Sequence, residues 1–184
     1  MIRIAAALML VLAACRPETR TAETSASIDP AIPAATPPHT DAPVRTDRSV
    51  YVLGDKPAAK TTIETALRAP ADQTLYIMNC NGATGVALQR KVGEEWVSAW
   101  AVAMAACLSP PIVVPPGKEH TATIELHESA ANVVYPAGGM LESGTYRVVW
   151  SGVLTSFDPD VRGFGPELPL EERVSAPFRI DVSL

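Results

Sequence analysis

Phe178, Ile180, Val182 and Leu184 alternate with Arg179, Asp181 and Ser183 near the end of the chain. Successive side chains on a β-strand point to opposite faces, so this stretch has one apolar face and one polar face. An α-helix would scatter the same residues around its circumference. The pattern recurs: Tyr146, Val148 and Trp150 share a face of the segment 144–150, and Ile124 and Leu126 oppose Thr123 and Glu125. Further short runs rich in Val, Ile, Thr, Tyr and Trp cover 49–53, 61–67, 75–80, 86–92, 96–101 and 111–114. Pro115-Pro116-Gly117 and Gly138-Gly139 punctuate them as turns. The alanines of 99–106 would accept a helix as readily as a strand end. Strands of this kind must bury their apolar faces against a second sheet. The expected fold is therefore all-β, an antiparallel sandwich of about seven to nine strands.

The first 47 residues do not share this pattern. Residues 16–47 hold Pro17, Pro30, Pro33, Pro37, Pro38 and Pro43 among Ala, Thr and Ser, with no aromatic residue. Such a segment buries too little apolar surface to offset the entropy of ordering it, so it reads as a disordered linker in which His39 is simply solvated. In polyproline form it would reach up to about 100 Å. The sandwich is expected over 48–184. Ahead of the linker, Arg3 precedes an unbroken apolar run from Ile4 to Ala14. A membrane-spanning helix needs about 20 such residues, whereas a signal peptide needs only about half that.

Leu12-Ala13-Ala14-Cys15 closes the run. It resembles the lipobox of bacterial lipoproteins: Leu, two small residues, then Cys. The resemblance implies a signal peptide over 1–14, cleavage before Cys15, and lipid on that cysteine. Arg16 stands where Asp would favour inner-membrane retention in lipoproteins of enteric type, so the implied location is the outer membrane, facing the periplasm. Each acyl CH₂ contributes about 0.8 kcal/mol of membrane affinity, and more than one chain makes a stable anchor. With Cys15 lipidated, Cys80 and Cys107 remain as an even pair in an oxidising compartment, where a disulfide is the expected form. It would stabilise the fold by roughly 3–4 kcal/mol in the chain-entropy model. Two buried free thiols are the alternative.

Gly144-Thr145-Tyr146 at the head of its strand is similar to the late strand of immunoglobulin-like domains, whose tyrosine often pins a corner through its hydroxyl. The resemblance implies that role for Tyr146. The immunoglobulin cysteine two residues further on is missing, since position 148 is Val. Trp96, the Pro115–Gly117 turn and Gly144-Thr145-Tyr146 together also resemble small bacterial proteins of the intracellular proteinase-inhibitor type, and Asn79-Cys80-Asn81 resembles a segment of certain envelope proteins.

The chain carries 15 basic and 20 acidic residues, for a net charge of −5, with no basic run. That argues against nucleic acid as a partner. No Gly-x-Ser-x-Gly elbow is present, and a lipidated or bridged cysteine cannot act as a nucleophile. Glu119, His120, Glu125, His127 and Glu128 lie close in sequence. The odd spacing of His120 and His127 puts them on opposite faces of a strand, and Glu125 with His127 is too small a set for a metal. Asp158-Pro159-Asp160-Val161-Arg162-Gly163 begins like a calcium loop, but Arg162 and Pro169 occupy ligand positions. No cofactor or metal is expected. Trp96 and Trp100, four apart, would share a strand face, buried in the core or stacked on a partner.

The long, Pro- and Gly-rich segment 157–173 is the remaining candidate. Phe157, Asp158, Asp160 and Phe164 could form a binding loop there, or the segment could fold back on the domain. The functional expectation is a lipid-anchored, non-enzymatic envelope protein that binds another envelope protein or a cell-wall component. A periplasmic proteinase inhibitor and an enzyme with a scattered site are the alternatives.

Overall fold

The structure is a computed structural model, and it describes residues 42–54, 61–104, 109–126, 133–134, 141–161 and 163–183. All of these belong to the compact unit Ala34–Leu184. Cys15 and the apolar run before it lie outside the described residues. Among the described residues no helix is long and apolar enough to cross a membrane.

The fold is an all-β sandwich, as the alternation predicts. One layer is a three-stranded antiparallel sheet of β1 (Val44–Thr46), β3 (Thr61–Arg68) and β8 (Glu119–Leu126), in the order β1-β3-β8. The facing layer is larger. It contains β2 (Val50–Leu53), β4 (Leu75–Cys80), β5 (Ala83–Val92), β6 (Glu95–Val102) and β7 (Ser109–Val114). It also contains β9 (Val133–Val134), β10 (Gly144–Ser151), β11 (Val153–Leu154) and β14 (Phe178–Val182). Its main path runs β11-β4-β5-β10-β14-β2, with β6 beside β5 and β7 beside β4. β12 (Phe157–Asp158) and β13 (Gly163–Phe164) make a separate small hairpin.

The named strand pairs are antiparallel, as expected, apart from β14 and β2, which run in parallel. The start of the domain differs from the expected boundary. β1 lies inside the stretch expected to be linker, yet Val44 is fully buried and pairs with Leu67. Arg68 donates its amide to the Pro43 carbonyl at 2.8 Å. A strand of three residues is too short to show a period, which is why proline content outweighed it.

The core is built from the inward faces of both layers. Ile63, Leu67, Ile124 and Leu126 come from the small sheet, and Leu88, Trp100, Tyr146, Val148, Trp150, Phe178 and Ile180 from the large one. Each such side chain, fully buried, contributes roughly 2–3 kcal/mol. A buried polar tie joins the layers. Trp150 Nε1 donates to Thr65 Oγ1 at 3.3 Å, and Thr65 in turn donates to the Arg45 carbonyl at 3.0 Å. Tyr146 plays the corner role its resemblance implied. Its hydroxyl donates to the Glu142 carbonyl at 2.5 Å and accepts from the Glu142 amide at 3.3 Å. Asn81 and Gly82 link β4 to β5 with φ of 55° and 91°, the backbone of a tight hairpin turn.

Candidate functional site

The loop singled out in the sequence is fastened at its base and open at its tip. Leu168 donates to the Val153 carbonyl at 2.7 Å, and Thr155 to the Pro166 carbonyl at 3.0 Å. Arg173 locks the return strand: its guanidinium donates to the Leu168 and Trp150 carbonyls, each at 2.9 Å, and meets Glu167 at 3.1 Å. Glu167 also accepts the Gly152 amide at 2.9 Å. The lower part of 157–173 therefore folds back on the domain.

Above that base, Phe157 and Phe164 are register partners across β12 and β13, with ring centroids 5.6 Å apart. The Asp158 carboxylate accepts the Asp160 amide at 3.0 Å, which sets the turn. The chain closes tightly at Gly165, where a Cβ would lie 1.9 Å from the Ser156 hydroxyl oxygen and 3.0 Å from its carbonyl oxygen, so the Ser156 side chain would have to turn away. Phe157 also packs on Tyr76 of β4, centroids 6.1 Å apart, and Tyr76 pairs with Val113 of β7. The result is a continuous outer surface of Val113, Tyr76, Phe157 and Phe164. Phe164 is 54% exposed, Val113 56% and Val161 75%. Asp158 and Asp160 are exposed beside it. Of the residues expected to form a binding loop, the structure brings the two phenylalanines into contact, and it adds Tyr76 and Val113. A cross-strand partner of this kind is not visible in sequence until the register is known.

The tryptophan pair does not behave as expected. Trp100 faces Leu88 and is buried, whereas Trp96 pairs with Lys91 on the outer face. The register of β6 on β5 shifts between Leu88 and Gln89, leaving Ala99 as an extra residue. One inserted residue inverts the side-chain phase, so residues four apart fall on opposite faces. On the outer face, the Arg147 guanidinium lies 4.5 Å over the Trp96 ring, and its Nε donates to Gln89 Oε1 at 2.8 Å.

Within β8 the neighbours Glu119 and His120 turn to opposite faces. His120 turns inward, edge-on to Trp150 at 5.9 Å, and burial lowers its pKa. Glu119 turns outward, held by Arg45 and by Arg68 at 2.7 Å, and these two hydrogen-bonded guanidinium groups lower its pKa. Glu125 is exposed, and His127 and Glu128 lie outside the described residues. Among the described residues no group of three His, Cys, Asp or Glu side chains could hold a metal. Cys80 is disulfide-bonded, with its sulfur 3.5 Å from that of Met104. Cys107 lies outside the described residues, so its pairing with Cys80 is a proposal. A shallow groove of about 450 Å³ lies among Pro43, Arg68, Pro70, Gly117, Leu168 and Glu172. Arg68 is already committed to Glu119, leaving Glu172 as the remaining ionic group of that lining.

No protein-family model matches the sequence, and no curated protein matches it. Among solved structures, a β-glucosidase from Listeria innocua in complex with glucose overlaps at a TM-score of 0.30 and 16% identity. The overlap covers 75% of this chain and 16% of the enzyme's. A likeness of that size carries no argument about fold or activity.

Proposed function

We propose that this chain is a lipid-anchored envelope protein, non-enzymatic, which binds another envelope protein through the Tyr76–Phe157–Phe164 surface. The observation that carries the reading is the Phe157–Phe164 pair, held out on a hairpin whose base is fixed by Arg173 and Glu167. Aromatic side chains on a rigid support supply contact area at low entropic cost, which is why they dominate binding hot spots. The acidic side chains of Asp158 and Asp160 supply a polar rim. The Leu12–Cys15 lipobox supports lipid at Cys15, and Arg16 supports outer-membrane delivery.

The test is a photo-crosslinking amino acid placed at Phe164 in cells, with one at Thr123, on the exposed outer face of β8, as control. A partner captured from position 164 and not from 123 is the expected result. Phe164→Ala should then weaken the purified complex by about tenfold or more. It should leave folding stability within about 0.5 kcal/mol, because the side chain is largely in solvent. Identical capture from both positions would refute the assignment of this surface.

A further inference from the structure

We propose that the outer face of β10, β5 and β6 is a second binding site, for a carboxylate carried on a hydroxylated ring, with Arg147 as the anchor. The arginines supply the main observation. Arg45 and Arg68 pair with Glu119, Arg48 with Asp47, Arg90 with Glu142, Arg173 with Glu167 and Arg179 with Asp181. Arg147 alone among the described arginines has no carboxylate. Its two contacts are neutral: the Trp96 ring at 4.5 Å and Gln89 Oε1 at 2.8 Å.

Those two contacts place the guanidinium. It lies over the Trp96 ring, and Gln89 takes the Nε hydrogen, so the Nη donors are left as a fork with no partner among the described residues. A planar fork of this kind matches a carboxylate in bidentate geometry. The side-chain entropy that an arginine ordinarily loses on binding, about 2 kcal/mol, has already been spent by the stacking. Partial burial works against the charge, lowering the Arg147 pKa from its ordinary value. An incoming anion would relieve that cost. The nearby acids do not compete: Glu94 in the β5–β6 turn is engaged by Lys91 at 3.4 Å, and Asp181 by Arg179 at 2.6 Å.

The surroundings specify the rest of the ligand. Ser98 is the register partner of Gln89 on β6, and Thr145 is the position two before Arg147 on the same face of β10. Both are exposed. With the amide of Gln89, they put hydroxyl and amide groups at the strand positions neighbouring Arg147. Those groups suit a ring bearing several hydroxyls, which is a sugar acid rather than an apolar acid. The bulge at Ala99 creates the site, because without it Trp96 would face the core.

The experiment is a titration of the intact protein with D-glucuronate, followed by Trp96 fluorescence and the NMR resonances of the Trp96 indole and Arg147 Nε. Trp100 and Trp150 are buried, so a surface ligand reports through Trp96. Saturation with a Kd on the order of millimolar is expected, about −4 kcal/mol. Glucose and acetate should each bind about tenfold more weakly or not at all, one lacking the charge and the other the ring. Arg147→Met keeps an aliphatic stem on the ring and should abolish the response. Gln89→Leu keeps the charge but frees the fork, and should weaken binding several-fold. The proposal is overturned if glucuronate gives no saturable shift, if glucose or acetate matches it, or if Arg147→Met with an unchanged melting curve still binds.

Discussion

Tyr146→Phe removes one oxygen from the interior and little else, which makes it a clean probe of what holds the sandwich corner. Tyr146 is fully buried on β10, beside Phe178 at a centroid distance of 6.5 Å. The phenyl ring of the variant keeps that packing. What is lost is the pair of hydrogen bonds to the Glu142 backbone, the donated one at 2.5 Å and the accepted one at 3.3 Å. A net hydrogen bond contributes about 1 kcal/mol, and a carbonyl left without a partner costs about 1–3 kcal/mol. The Glu142 side chain is exposed, so water can reach part of the released backbone, and the lower half of that range applies. The expected loss is therefore about 1.5–2 kcal/mol, which lowers Tm by about 5–8 °C in a domain of this size. Burial raises the Tyr146 pKa, so the hydroxyl remains a donor throughout the neutral range. The assay is urea denaturation with Tyr76→Phe alongside. The Tyr76 hydroxyl has no hydrogen-bond partner among the described residues, and its removal should cost under about 0.5 kcal/mol. If the two variants are equally stable, the corner bond does not stabilise this fold.

The tryptophans should separate in the same assay. Trp100→Ala empties a core position and should cost about 3–5 kcal/mol, whereas Trp96→Ala loses a half-exposed ring and one cation–π contact, about 1 kcal/mol. Equal losses would refute the bulge that divides them. His120 predicts a pH effect. Its folded pKa is lowered by burial, so below the unfolded value of about 6.5 the unfolded chain takes up the proton first. Above that value both states are neutral and His120 contributes no pH dependence. Stability should thus fall as pH drops from 6.5 to the folded pKa and then level. His120→Phe should flatten this part of the stability–pH curve, and an unchanged slope would show that another group carries it.

The alternation of Phe178 to Val182 and of Tyr146 to Trp150 made two strands and their inward faces legible, because period two has no competing reading over such lengths. All seven of the other runs read as strands are strands as well, with ends displaced by a few residues at most. The failures share a cause. Strand β1 is too short to be periodic, and the Ala99 bulge breaks the period without a Gly or Pro to mark it. The turn at Asn81-Gly82, by contrast, carried one of the strongest hairpin signals available and was there to be read. Parallel pairing of β2 with β14 joins segments more than a hundred residues apart, and no local pattern encodes such a partner.

The same distinction explains why the candidate surfaces were only half visible. Phe157 and Phe164 could be named from the sequence as candidates for a binding loop, but their contact depends on the pairing of β12 with β13, and their continuity with Tyr76 depends on where β4 lies. Arg147 gave no signal at all, since an arginine at an outward strand position is ordinary. Its meaning comes from a shift of one residue on a strand two places away, which turns Trp96 over to meet it. A core tolerates no such displacement without a cavity or an exposed apolar face. Here the single phase change leaves Trp100 inside the core and delivers Trp96 outside. The bulge is therefore the feature through which strand register, rather than loop sequence, gives this sandwich an outward-facing cation held ready for a ligand.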